Sequence, residues 1–260
     1  ELANKIPGCV VLVSRDGDIP FYKSYGCKSV FPVVTPLTRE TVFDVASLTK
    51  PFVTTLMMML LVDNNIVDLD SPISEVLDGF SANDKGKITF RHLLSHRSGL
   101  PTHSPIYKKI ELLGRTSRYG ILKTKEANEV VLGEVSKMPL VHMPGRFACY
   151  SDLGFMLLGM AIEKLCGNQS LATLFHHGVS KHFGLRYSSF VDLESLGEEF
   201  LDPVADLVAT TAKCPWRRRY LCGEVHDENT WAVGGIAGQA GLFSTARDLN
   251  ILATELLNCY

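Results

Sequence analysis

Apolar positions in this chain fall into short runs separated by turn chemistry. Near the N-terminus the run Cys9-Val10-Val11-Leu12-Val13 is followed by the tight-turn dipeptide Asp16-Gly17, and extended character resumes over residues 21–25. This predicts a hairpin, and the unbroken apolar run predicts a first strand covered on both faces. Pro32 and Pro36 mark a loop that leads to another extended run at residues 41–46. The next segment is different in kind. After Ser47-Leu48-Thr49-Lys50-Pro51, residues 52–62 are apolar on nearly every side, which is the pattern of a buried helix. Proline lacks the N–H that a helical ladder needs, so Pro51 places the helix start close to Ser47. Asp63-Asn64-Asn65 ends it.

Further along, residues 89–96 form a short amphipathic pattern closed by Gly99 and Pro101, whereas residues 102–125 are polar and irregular and predict a surface excursion. Ser151 or Asp152 can cap a helix over residues 153–165, with Gly167 as its stop. Residues 186–230 predict long loops, and residues 234–241 form a glycine-rich run tolerant of unusual backbone angles. Thr245 and Asp248 resemble a capping box for a last helix over residues 246–257. There is no internal repeat and no low-complexity tract.

Composition narrows the classes. With 260 residues and 46% hydrophobic content, the chain can bury one large core or two subdomains that share an interface. A balance of 26 basic against 28 acidic residues argues against a nucleic-acid partner. The longest apolar run, residues 56–62, is far short of the ~20 residues of a bilayer span, so no membrane span is expected. Glu1 rather than Met comes first and no basic-then-apolar leader follows, which leaves cytoplasmic and exported locations both open. Seven cysteines (Cys9, Cys27, Cys149, Cys166, Cys214, Cys222, Cys259) include no Cys-x-x-Cys pair, so a zinc ribbon or dense disulfide framework is not expected and most read as buried free thiols.

Candidate chemistry centres on Ser47 and Lys50. At i,i+3 on the first turn of a helix the two side chains share a face. A buried helix disfavours the ammonium and makes Lys50 a candidate base, while the helix N-terminus favours an oxyanion. The competing reading is Ser47 as a simple cap with Lys50 reaching solvent. His92 and His96 have i,i+4 spacing and His103 follows, but the glutamate of a zinc-protease motif is absent, so no metal is expected. Arg217-Arg218-Arg219 reads as a solvated loop, Met57-Met58-Met59 as core filling, and Gln239 can border a pocket through its amide.

Taken together, Ser47-Leu48-Thr49-Lys50, then His92-Leu93-Leu94-Ser95-His96-Arg97-Ser98-Gly99-Leu100, then Pro144-Gly145 leading to Tyr150-Ser151-Asp152-Leu153-Gly154, resemble the serine β-lactamase-related family of class C β-lactamases, D-Ala carboxypeptidases and esterases. Residues 241–249 resemble a further shared segment. The resemblance implies an α+β, β-lactamase/transpeptidase-like fold: an antiparallel sheet with flanking helices plus a helical subdomain, the site lying in the cleft between them. Residues 1–50 would be the N-terminal part of the α/β subdomain, 51–245 the mainly helical subdomain, and 246–260 the start of the return helix. It makes Ser47 the acylated nucleophile, Lys50 its proton acceptor or electrostatic partner, and Tyr150 the proton shuttle to the leaving group. Asp152, as a substrate contact or a helix cap, and Gln239, from its place in the glycine-rich run, are the candidate substrate-binding residues.

Two departures shape the expected substrate. Asp152 stands where many relatives carry Asn, and an ionised carboxylate can only accept hydrogen bonds, which favours esters over β-lactams. No Lys-Thr-Gly or His-Thr-Gly follows Asp152, and His176-His177-Gly178 comes too soon after Tyr150 to replace it. The resemblance therefore implies that the C-terminal strands are missing and that the hairpin presents an exposed apolar edge. The expected activity is hydrolysis through an acyl-Ser47 intermediate of an ester, a β-lactam or a D-Ala-type amide, in that order. No cofactor is expected, the partner is a small-molecule or peptide acyl substrate, and the oligomeric state is open. Because losing one oxyanion donor costs ~10²–10³ in rate, the alternative is a catalytically impaired, truncated relative that binds peptidoglycan-like peptides or a protein partner.

Overall fold

The computed structural model describes residues 6–116, 120–195 and 205–258. Its first two strands, β1 (Gly8–Arg15) and β2 (Asp18–Ser29), pair antiparallel with Cys9 opposite Tyr25 and Val13 opposite Phe21. Asp16 and Gly17 both take positive φ, as a two-residue hairpin turn requires. A short strand, β3 (Thr35–Pro36), extends this sheet along β2. Successive side chains of a strand face opposite sides, and only one face of β1 is covered. Val10 and Leu12 turn inward, while Val11 and Val13 are 39% and 48% exposed, so the expected two-sided burial is corrected to one-sided.

After β4 (Phe43–Asp44), a 3-10 turn over Ala46–Leu48 and a π-type turn over Lys50–Thr55 run without a break into α1 (Leu56–Asp63). Pro51 accounts for the irregular start, because it has no N–H to give the carbonyl of Ser47 and the regular ladder sets in only at Leu56. Met57 and Met58 are buried, but Met59 is 50% exposed, so the triplet is core filling on one side only. The run Ala46–Asp63 has a mean hydropathy of 1.2 and, among the described residues, is the one helix long and apolar enough to cross a membrane by that measure. Here it is a core helix that carries the buried Lys50 and packs against the central helix described next.

Then follow α2 (Phe90–Leu94), α3 (Tyr107–Thr116), α4 (Ala127–Lys137), α5 (Asp152–Leu165), α6 (Leu171–Phe175), β5 (Ser189–Phe190), β6 (Lys213–Cys214), β7 (Arg219–Tyr220), α7 (Glu228–Ala232), β8 (Leu242–Ser244) and α8 (Ala246–Asn258). A second sheet has the order β4-β8-β5, and β6 pairs with β7. The centre is α5, buried continuously over residues 153–159 and packed on the Lys50–Thr55 turn, α2, α4 and α6. Val42, Val208, Val225, Trp231 and Phe243 form a smaller second cluster.

Three expectations are corrected here. Residues 102–125, read as irregular, contain α3; Ile106 and Ile110 anchor it inward while Lys108, Lys109 and Arg115 line its polar side, and the Asn229 side chain receives the Tyr107 N–H. The arginine triplet is not all solvated. Arg217 lies 4% exposed against Glu224, which also accepts from Trp231 Nε1 at 2.7 Å and pairs with Arg219, leaving Arg218 exposed. The six described cysteines are free, but only Cys214 is buried and Cys9 and Cys222 are exposed; Cys259 lies outside the described residues.

The contact at Gly238 ties the glycine-rich run to the central helix. A Cβ on Gly238 would lie 2.1 Å from the Phe155 carbonyl oxygen, so the run touches α5 backbone to backbone. Gly238→Ala is expected to cost about 2 kcal/mol, since overpacking here must displace backbone rather than side chain. Calorimetry should show a melting temperature roughly 5 °C lower; an unchanged value would mean this contact is not made.

Candidate active site

The turn that carries Ser47 is built by its neighbours. Asp44 accepts the N–H of Ala46 at 2.9 Å and of His226 at 2.7 Å, which holds Ala46 at φ +46°, a backbone angle unusual for a residue with a side chain. Burial raises the pKa of the Asp44 carboxyl, and the two amides oppose the shift. Thr49 Oγ1 donates to the Ala46 carbonyl and receives the N–H of Leu242, which fixes the turn to β8.

Lys50, 3% exposed, donates from Nζ to Ser47 Oγ at 3.0 Å, to Asp152 Oδ1 at 2.7 Å and to the Gln239 carbonyl at 3.0 Å. Three acceptors match the three protons of an ammonium, and the pair with Asp152 is a largely buried ion pair. The competing reading of Lys50 as a solvent-reaching side chain does not hold. Ser151, not Asp152, caps α5: its Oγ accepts the Gly154 N–H at 3.3 Å, and Asp152 is thereby left for Lys50. Thr54 Oγ1 adds a bond to the Gly238 carbonyl at 2.6 Å, tying the helix of Lys50 to the glycine-rich run a second time.

Tyr150 arrives from the other side. Its hydroxyl is 2.8 Å from Ser47 Oγ, and Lys50 Nζ lies 4.8 Å from its ring centre. The loop that carries it is laid along residues 96–102: Val141 N–H bonds the Gly99 carbonyl, Gly145 that of Arg97, Cys149 that of His96, and Asp152 that of Thr102. His96 and Gly99 both take positive φ, which turns the segment so that it can serve as this rail. His96 completes it, with Nδ1 accepting the Ser151 N–H at 3.1 Å and its ring 4.5 Å from that of Tyr150.

The cleft above Ser47 encloses about 470 Å³ and is lined by Val45, Leu48, Leu94, His96, Tyr150 and Phe155 among others. A larger cavity of about 820 Å³, also bordering α1, is lined by residues such as Met59, Val179 and Phe183 and includes no serine, cysteine or lysine, so size does not locate the chemistry. Gly178 of His176-His177-Gly178 lines that second cavity and not the cleft.

Ser47, Lys50, Tyr150 and Asp152 are thus brought together. Gln239 differs from expectation, since its carbonyl, not its amide, reaches the site. Its Nε2 bonds Thr230 Oγ1 at 2.7 Å, away from the cleft lining. His92 and His96 diverge because α2 ends at Leu94 and His92 turns back to cap it. No cluster able to hold a metal occurs among the described residues. Sequence reasoning missed His96 and Phe155 as site residues; the sign available for His96 was its place just after α2, where a helix has to stop.

Comparison with known proteins places this geometry in company. A beta-lactamase family model matches residues 2–258. An N-acetylmuramyl-L-alanine amidase of Bacillus subtilis (strain 168) is 30% identical over 99% of this chain, which spans 60% of that relative's length. Among solved structures, the octameric penicillin-binding protein homologue from Pyrococcus abyssi is 25% identical with a TM-score of 0.73, covering 99% of this chain and 54% of its own. EstCE1, a hydrolase with promiscuous acyltransferase activity, is 25% identical with a TM-score of 0.71, covering 97% of this chain and 68% of its own.

Proposed function

The chain belongs to the beta-lactamase family, and from that premise we propose that it is a serine hydrolase that works through an acyl-enzyme on Ser47. The observation that carries this reading is the convergence of Lys50 Nζ and Tyr150 Oη on Ser47 Oγ, at 3.0 and 2.8 Å, at the floor of an open cleft. A serine hydroxyl becomes a competent nucleophile only when a partner takes its proton.

With Lys50 donating to Ser47 Oγ, Asp152 and the Gln239 carbonyl, the proton goes to Tyr150, whose phenolate the nearby Lys50 charge stabilises. Ser47 Oγ then attacks the substrate's carbonyl carbon and the tetrahedral intermediate collapses. Tyr150 returns its proton to the departing alcohol or amine. Water, deprotonated by the same pair, attacks the acyl-Ser47 carbonyl and releases the carboxylic acid and free Ser47.

An ester is the preferred substrate, ahead of a β-lactam or a D-Ala-type amide. Val45, Leu48, Leu94 and Phe155 offer an apolar wall for an acyl chain. Asp152, engaged with Lys50, has no proton to offer a substrate amide carbonyl. The similarity to EstCE1 supports the ester, and the amidase relative supports an amide of the cell-wall type.

The test is intact-protein mass after incubation with a fluorophosphonate, a p-nitrophenyl ester and a chromogenic cephalosporin, followed by peptide mapping. One fluorophosphonate adduct on Ser47, with ester turnover faster than cephalosporin turnover, is the expected result. No adduct on folded protein would overturn the reading and favour a cleft that binds peptidoglycan-like peptides without turnover.

A further inference from the structure

The Tyr150 side chain is 47% exposed, so packing alone does not hold it over Ser47. Of the residues that hold its loop, one lies against the tyrosine itself. His96 touches three consecutive residues of the tyrosine loop: its carbonyl accepts the Cys149 N–H at 2.7 Å, its Nδ1 accepts the Ser151 N–H at 3.1 Å, and its ring lies 4.5 Å from Tyr150's at an interplanar angle of 34°. On its other side the ring meets Phe155 at 4.9 Å, so it is wedged between loop and central helix. The positive φ of His96 lets its carbonyl and its side chain serve neighbouring amides of the same loop.

We propose that His96 is the positioning residue for Tyr150, and that it does this work as a neutral imidazole with its proton on Nε2. The inference rests on the acyl-enzyme reading for its kinetic consequence, but its geometry stands without it. An Nδ1 that accepts from an amide carries no proton. Protonation would set two donors, Nδ1–H and Ser151 N–H, against each other and loosen the loop next to the tyrosine.

The groups around the ring leave a net balance toward this form. Burial first, and then the Lys50 ammonium on the nucleophile's helix, hold His96 below the ordinary imidazole range. Asp152 at the start of α5 opposes them, but its carboxylate is already engaged by Lys50, with His103 3.9 Å away. Tyr150 faces it from the loop. The neutral form therefore persists below the pH at which a free histidine becomes charged, and it is lost as pH falls further.

Two variants separate the roles of acceptor and ring. Asparagine tolerates positive φ and places an oxygen acceptor at the δ position, so His96→Asn keeps the bond and removes the titration. His96→Phe keeps a ring and removes the acceptor. Fluorophosphonate acylation of Ser47 would be followed from about pH 5 to about pH 8, the range in which imidazoles change charge. In parallel, hydrogen exchange at the Ser151 amide is measured in folded protein without any reagent.

His96→Phe should acylate roughly 10–100-fold more slowly, the scale of a misplaced proton-transfer group, with a faster-exchanging Ser151 amide. His96→Asn should keep the neutral-pH protection of the Ser151 amide and lose its acid sensitivity. A His96→Phe chain with unaltered Ser151 protection, or a His96→Asn chain whose Ser151 protection follows pH as the unmodified chain's does, would overturn the inference. An unmodified chain that is never acylated would overturn the acyl-enzyme reading instead, and the exchange measurement would still decide the placement of His96.

Discussion

Lys50→Met is expected to slow acylation of Ser47 by on the order of 10³–10⁴-fold, near the upper end of what a proton-transfer group contributes. Methionine matches most of the lysine stem but supplies none of its three hydrogen bonds. The phenolate of Tyr150 loses its counter-charge, and Ser47 Oγ loses one of its two polar neighbours. The variant should also be less stable. Asp152 and the Gln239 carbonyl are left without their donor, and the carbonyl cannot retreat because the adjoining Gly238 is in backbone contact with α5. Breaking a fully buried ion pair costs ~3–5 kcal/mol, and with the Asp152 side chain 24% exposed the expected loss is nearer ~2–3 kcal/mol. Lys50→Arg should not rescue the rate, because a planar fork cannot reach three acceptors arranged as a tripod. Stopped-flow acylation together with a denaturant melt checks both parts, and a Lys50→Met rate within tenfold of the unmodified chain would remove Lys50 from the mechanism.

Tyr150→Phe is expected to cost ~10²–10³ in rate with no measurable change in stability. The hydroxyl contacts Ser47 Oγ, the ring stacks on His96, and the phenylalanine keeps the second of these while losing the first. The residue is half exposed, so deleting its hydroxyl orphans no buried partner. The contrast with Lys50 is the informative part, since one substitution lowers rate and stability together and the other lowers rate alone. A Tyr150→Phe enzyme within threefold of the parent would mean that the proton leaves Ser47 by another route, with Lys50 as the remaining candidate.

The residues proposed to carry the chemistry could be picked out because their constraints are local. Ser47 and Lys50 need one helical turn between them, Pro51 dates the start of that turn, and a buried run after it is plain in the residue pattern. The resemblance then supplied Tyr150, which no local rule would single out. What stayed hidden depends on distant partners. α3 buries Ile110, with Ile106 just before it, against a lysine-rich exterior, and Asn229 arrives from far along the chain to cap its start. β8 is only three residues long and exists because β4 and β5 flank it. Arg217 looked solvated within a basic triplet, and only folding brings Glu224 and two tryptophans around it. For Gln239 the sequence pointed to a side chain where the backbone does the work, since a residue letter says nothing about which carbonyl faces a lysine. His96 drew attention as a metal candidate, because i,i+4 spacing presumes a helix that in fact stops two residues earlier.

The two halves of the site hang on supports of different strength. Ser47 and Lys50 belong to a core helix bonded to β8 and to the glycine-rich run, whereas Tyr150 is held by loop-to-loop bonds along residues 96–102, near the surface. Segments of that second kind open locally at a fraction of the free energy of global unfolding. Mild heat or denaturant should therefore detach the tyrosine first, in a reversible excursion that leaves the fluorescence of the buried Trp231 undisturbed. Loss of activity and loss of structure would then be separate transitions, and a melting curve alone would overstate the temperature at which the molecule still works.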